Sequence, residues 1–368
     1  MSFVSRTAAV GPVPVTLPVI TVNTMQFRTN GKTAVRLIPV LASLLLVACA
    51  PTIVIDDPIT VPQVDLVWPS PPQAPRIRML RSIDKPEDLG IKPGALSRVV
   101  QFFTGKERHG MVRPYAVAAD DDAIVVADPG LRMIHLFLLS ESKYELIRTA
   151  GDESFESPVG ITLSQDAIYV ADSAAARVHV FDRQGDHRNT ITSLARPTGI
   201  AFHTASRRLF VTDTAENKVV VFDESGVELA EFGSRGLAPG QFNFPTSLAI
   251  HGDTLLVNDT LNYRIQLFSL DGISLGSFGE IGDSSGQFAM SKGLGAGVEG
   301  HVYVADALSN YIQIFDTDGR FLLSFGGMGG GAGRFRLPAG VHIFNNMIFI
   351  ADSQNGRVQV FEYLGGEG

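Results

Sequence analysis

One phrase recurs six times along the chain, and it constrains the fold more than any other feature. It runs hydrophobic-x-Val-x-Asp or a close variant, then four variable residues, one long residue, and alternating apolar residues that end in Phe. Its aspartates are Asp128, Asp172, Asp213, Asp259, Asp306 and Asp352, spaced 44, 41, 46, 47 and 46 residues apart. Nine residues after each stands a phenylalanine: Phe137, Phe181, Phe222, Phe268, Phe315 and Phe361. Five units open on a proline, at Pro114, Pro158, Pro197, Pro245 and Pro338, and the fifth unit carries Lys292-Gly293 in place of that phrase. Three close on Phe-Gly (Phe232-Gly233, Phe278-Gly279, Phe325-Gly326), and Gly-x-Phe leads onward at Gly240, Gly286 and Gly333. Within a unit the apolar residues alternate with period two, as in Lys218-Val219-Val220-Val221-Phe222. Short alternating runs between regularly spaced turns are strands rather than helices.

Four strands in a unit of about 45 residues make a propeller blade, so the expected fold is all-β, a six-bladed β-propeller of four-stranded blades. From about Pro114 to Tyr363 the repeats resemble the NHL family. The segments "YVADSAAARVHVFDRQG", "LVNDTLNYRIQLFSLDG" and "FIADSQNGRVQVFEYLG" carry the likeness. Arg177, Arg264 and Arg357 match the family's arginine five residues after the aspartate, whereas Lys218, Tyr311 and Met133 take that slot elsewhere. The sixth unit stops soon after its third strand. Residues 76–83 alternate as a strand should, and they are expected to supply the missing fourth strand and close the ring, leaving no open edge. The propeller is thus expected to span residues 75–368. Leu96, Val99, Val100 and Phe103 fall at i, i+3, i+4, i+7, which predicts a short helix before the first full repeat.

The N-terminal region reads as an address. Arg28, Lys32 and Arg36 precede an apolar run from Leu37 to Val47, which is shorter than the roughly 20 residues a membrane span needs. The run ends in Leu46-Val47-Ala48-Cys49, which resembles the bacterial lipobox, and Cys49 is the only cysteine in the chain. Residues 25–48 are therefore expected to be a lipoprotein signal peptide and Cys49 the lipidated residue, carrying palmitate-like acyl chains; the competing reading is a lone buried cysteine. Ala50 after the cysteine favours the outer membrane by family analogy. Residues 1–24 lie upstream of a complete signal, which fits either translation from Met25 or an extended positive region. Residues 49–74 hold Pro51, Pro58, Pro62, Pro69, Pro71 and Pro72, an extended tether between lipid and propeller, with Trp68 either packed on the body or exposed.

Charge narrows the partners. The chain carries 30 basic and 38 acidic residues, but the four cations of residues 1–48 face no acid, and without them 26 basic stand against 38 acidic. A body near −12 repels phosphate backbones, so nucleic acid is not an expected partner. With a single cysteine, no internal disulfide forms.

The repeated aspartates are expected to be structural, since Asp at a strand end bonds nearby backbone N–H groups, and the long basic residue beside them is expected to pack between blades. No Ser-His-Asp, Cys-His or CxxC arrangement occurs, and no catalytic residue is assigned. NHL-type lyases acting on amidated-peptide precursors hold zinc in the propeller channel, which needs about three converging imidazoles. Here His203 and His251 follow corresponding strands, but a third is missing. Related lactonases hold calcium, for which Asn243, Asn258 and Asp259 are conceivable ligands. The expected cofactor is none, with zinc or calcium as the alternatives. The glycine run 326–333 lacks the lysine and helix of a phosphate loop and reads as a flexible connection. Residues entering the first strand of each unit should ring one mouth of the channel: Arg113, Tyr115, Arg196, Thr198, Asn243, Thr246 and Lys292. Cations and an aromatic on an acidic body form a recognition surface. The sequence thus favours a membrane-tethered cell-envelope scaffold for a protein or peptide partner. The alternative is a metal-dependent lyase or hydrolase working in the channel.

Overall fold

A computed structural model of the protein describes residues 65–92, 110–297 and 299–365. They form six antiparallel sheets radiating as the blades of a β-propeller, with a two-stranded hairpin (Thr149–Ala150 with Glu153–Ser154) between blades 1 and 2. The innermost strands are Ala116–Ala119, Pro158–Leu163, Pro197–His203, Pro245–His251, Ser291–Ala296 and Pro338–Phe344. Cys49 and the expected helix around Val99 lie outside the described residues.

Period-two alternation puts each strand's apolar residues on both faces of its blade, and each face packs on a neighbouring blade. Six separate apolar clusters result, one per interface. The six repeated phenylalanines are at most 1% exposed, and each packs against the preceding blade. Phe181 joins Ile134 and Leu136 of blade 1, and Phe315 joins Leu256 and Ile265 of blade 4. Aromatic side chains are the largest single contributors to such interfaces.

In four blades close packing near the axis puts glycine two residues into the inner strand, at Gly160, Gly199, Gly293 and Gly340. A Cβ on Gly160 would lie 2.1 Å from the Thr198 carbonyl oxygen of the next blade, and one on Gly293 would lie 1.8 Å from that of Ala339. The recurrent Gly160, Gly199 and Gly340 of the sequence phrase are therefore sites where backbone meets backbone.

The repeated aspartates are structural. Each is buried and accepts backbone N–H bonds from the segment that enters its own blade's first strand. Asp128 takes Val112 at 2.6 Å and Arg113 at 3.1 Å, and Asp172 takes Glu156 at 2.8 Å and Ser157 at 2.7 Å. Asp213 takes Ala195 at 2.7 Å and Arg196 at 3.0 Å. Asp259 and Asp352 add a charged partner, because Arg264 Nε and Arg357 Nε each donate at 2.8 Å. Arg264 also donates to the carbonyls of Leu237, Ala238 and Gln241, in the connection from blade 3 to blade 4. Arg264, and Arg357 through the carbonyls of Gly331 and Arg334, therefore tie blade to connection.

Ring closure follows the sequence expectation. Ile77–Ile83 pairs antiparallel with Arg357–Tyr363 as the fourth strand of blade 6. The folded body begins earlier than residue 75, however. Val67–Trp68 adds a fifth strand to that sheet, and Trp68 packs 5.8 Å from the rings of both Phe325 and Phe361. The described end of the proline-rich stretch is thus part of the blade, because Trp68 finds an apolar seat there. The glycine run is also not the flexible link expected. Asn355 donates to the Gly329 carbonyl at 2.9 Å, Arg357 to that of Gly331 at 2.7 Å, and Gly333 N–H to Gln359 at 2.9 Å. Glycine is used there for its conformations, and the chain is pinned.

Candidate functional site

The six inner strands enclose a cavity of about 190 Å³ on the propeller axis. Its outermost layer comes from the residue after the opening proline, or its equivalent, in each blade: Tyr115, Val159, Thr198, Thr246, Lys292 and Ala339. Of the seven residues placed at the mouth from sequence, Tyr115, Thr198, Thr246 and Lys292 line this cavity. Arg113, Arg196 and Asn243 stand two or three residues earlier, on the rim, and do not line it.

The rim positions are set by the structural aspartates. Asp128 holds the Arg113 backbone and Asp213 that of Arg196, while Asn243 is fixed by Asp259 at 2.6 Å and accepts from Leu261 N–H at 3.0 Å. The Asp259 carboxylate and the Asn243 backbone are thereby committed to the turn.

Above the cavity the side chains converge from different blades. Lys292 of blade 5 reaches over the small Ala339 of blade 6, and its Nζ sits 5.5 Å from the ring centroid of Tyr115 in blade 1. The Arg196 guanidinium lies 5.3 Å from the centroid of Phe244. A cation over a ring face is held by the ring's quadrupole, so both heads are positioned without a carboxylate. Burial first, and then the positive charge of Arg113, push the Lys292 ammonium below its ordinary range. Burial pushes the Tyr115 phenol up, against the pull of Arg196. Among the described residues, the side chains of Arg113, Arg196 and Lys292 take part in no ion pair.

Beneath the mouth lies a buried polar network that sequence reasoning did not assemble. Thr198 Oγ1 lies 2.9 Å from Thr212 Oγ1 and 2.6 Å from Thr214 Oγ1, and Thr214 donates to the Pro245 carbonyl of the next blade at 2.6 Å. Thr246 Oγ1 meets Thr260 Oγ1 at 2.6 Å. Asn258 bridges to blade 5, donating to the Ser291 carbonyl at 3.1 Å and accepting from the Ser291 hydroxyl at 2.7 Å. A signal for it existed. The residue before the repeated aspartate is alanine at Ala127, Ala171, Ala305 and Ala351, and polar only at Thr212 and Asn258. Because these hydroxyls and amides satisfy one another, they fix blades 3 to 5 and leave recognition to the cations and the tyrosine.

His203 and His251 end their inner strands, and His203 Nδ1 is engaged by the Ser206 hydroxyl at 2.8 Å. His342 lines the channel, with Nε2 2.8 Å from the Ala119 carbonyl, and burial pushes it below its usual range, toward the neutral form. Among the described residues no three His, Cys, Asp or Glu side chains are grouped as metal ligands would be.

No family model and no curated protein sequence matches the chain. Solved structures do. A virginiamycin B lyase from Staphylococcus aureus is similar at a TM-score of 0.52 and 15% identity, over 68% of this chain and 95% of that one. An auxiliary nutrient binding protein from Bacteroides thetaiotaomicron is similar at a TM-score of 0.55 and 14% identity, over 70% and 71%. A protein of unknown function from the same organism reaches 0.55 at 13% identity, over 78% and 75%. Identities this low speak for the propeller fold alone.

Proposed function

We propose that the chain is an NHL-type, cell-envelope propeller, anchored by lipid on Cys49, that binds a protein or peptide partner at the channel mouth. The observation that carries the reading is the convergence of Lys292, Tyr115, Arg196 and Arg113 from three blades onto one opening. Cations that have no carboxylate partner among the described residues, on a body whose net charge is strongly negative, are open to a ligand from outside the chain. The lipobox-like Leu46-Val47-Ala48-Cys49 supports placement outside the cytoplasm. Propellers host many functions, so the site and not the fold bears the argument.

Two experiments test the two halves. Cys49→Ser should leave the protein soluble or unprocessed on cell fractionation; normal membrane retention of that variant would refute the anchor. A photo-crosslinking side chain at Thr246 should capture a discrete envelope protein, lost with Lys292→Met, whereas one at Leu229 on an outer strand should not. Equal capture at both positions would refute binding at the mouth.

The second reading is a metal-dependent lyase or hydrolase. It draws on His342 in the channel and on the lyase among proteins of similar fold. It requires zinc or calcium that stays with the purified chain through dialysis, read by elemental analysis and native mass spectrometry.

A further inference from the structure

We infer that the channel mouth is an oxyanion site, and that what enters it is a carboxylate of an acidic peptide segment. The inference rests on the binding reading above and names the chemistry of the ligand.

Three cations come to the mouth from alternate blades: Arg113 from blade 1, Arg196 from blade 3 and Lys292 from blade 5. Several basic side chains elsewhere on the molecule are paired with carboxylates. Arg264 pairs with Asp259 at 2.8 Å, Arg183 with Asp120 at 2.5 Å, and Lys218 with Glu231 at 2.5 Å. At the mouth the blade-entry carboxylate that could have served, Asp128 or Asp213, is spent on backbone N–H groups. Glu156 and Glu216 stand on loops of the same rim and form no ion pair with these cations.

A half-buried ammonium beside a guanidinium, with no ion-pair partner among the described residues, is an unfavourable arrangement in the unliganded protein. An entering oxyanion reverses the sign of that energy. The cations also keep their donors for it. Lys292 and Arg196 are positioned through ring faces, and a cation–π contact leaves N–H groups available, three on lysine and five on arginine. Tyr115 stays a neutral phenol, since burial raises its pKa, and adds an O–H donor. Charge-assisted hydrogen bonds of this kind are the stronger class. The cavity of about 190 Å³ has room for one side chain or small oxyanion, given that each water occupies about 30 Å³. A folded partner could present only a projecting acidic residue or chain end.

The test is calorimetric titration of the full chain with hexaglutamate, hexalysine and inorganic phosphate, at low and raised salt. Lys292→Met, Arg196→Gln and Lys292→Arg are titrated alongside, each with its melting curve recorded. Hexaglutamate should bind, more weakly as salt rises, and hexalysine should not. Lys292→Met and Arg196→Gln should each weaken hexaglutamate by about tenfold or more, while Lys292→Arg stays within a few fold. Arg196 is exposed, so its variant remains informative if Lys292→Met melts early. Failure of both hexaglutamate and phosphate to bind, or binding indifferent to both neutral variants, overturns the oxyanion site. Phosphate binding without hexaglutamate binding upholds that site and overturns the peptide partner.

Discussion

Replacing Ile77 by alanine tests the closure of the ring at its most buried point. Ile77 has no exposed surface and packs with Tyr303, Phe325, Phe361 and Ile350 at the junction of blades 5 and 6. Losing its methyl and methylene groups removes their transfer energy and leaves a cavity that rigid aromatic neighbours fill poorly. The expected cost is about 2–5 kcal/mol. Arg78 is the internal control. It lies on the same strand and is bonded to Glu362 at 2.5 Å, but its side chain is 41% exposed, so Arg78→Gln should cost much less than Ile77→Ala. The assay is urea denaturation of the full chain followed by far-UV circular dichroism and by tryptophan fluorescence. Trp68 is the only tryptophan and lies tilted against Phe325 of blade 5 and edge-on to Phe361 of the closing blade, so its emission reports on closure itself. If the N-terminal strand locks the ring, Ile77→Ala lowers both midpoints together. A shift worth less than about 0.5 kcal/mol, the usual range for surface substitutions, would refute the argument that this strand holds the propeller shut.

Other expectations follow from single contacts. Gly293→Ala puts a Cβ 1.8 Å from the Ala339 carbonyl oxygen, so it should destabilise by at least about 3 kcal/mol; an unchanged urea midpoint would count against the tight axial packing. Asp259→Ala strands Arg264, Gln266, Asn262 and the Asn243 N–H, all bonded to this buried carboxylate, and should cost about 3–5 kcal/mol in the same assay. Burial pushes His179 down to about 4 from 6.5, so the unfolded chain takes up a proton before the folded one does. Stability should then fall as pH drops from 6.5 to about 4 and level off below, by at most about 3 kcal/mol from this group. Glutamine occupies the slot equivalent to His179 in blades 4 to 6 (Gln266, Gln313, Gln359). His179→Gln should therefore fold at neutral pH and show a shallower acid loss in melting temperature against pH, the residual slope coming in part from buried His342.

The sequence by itself determined the blade count, the strand period, the structural role of the repeated Asp, and the closing strand. Each of these is a local pattern repeated, and a pattern that every repeat must satisfy shows up by self-comparison. What it could not determine depends on geometry across blades. Ile77 and Ile83 are an even number of residues apart, so strict alternation puts them on one face. A register shift between Met79 and Arg81 sends Ile77 into the interface with blade 5 and Ile83 into that with blade 1. A bulge inverts the facing of everything beyond it, and no residue type announces this one. The mouth shows the same division. Arg113, Tyr115, Arg196 and Lys292 could be placed at strand entries from the repeat. That Lys292 crosses Ala339 to reach Tyr115 follows only from the closed ring. Closure sets how far apart the blade entries stand, and that spacing against side-chain length decides which residues meet.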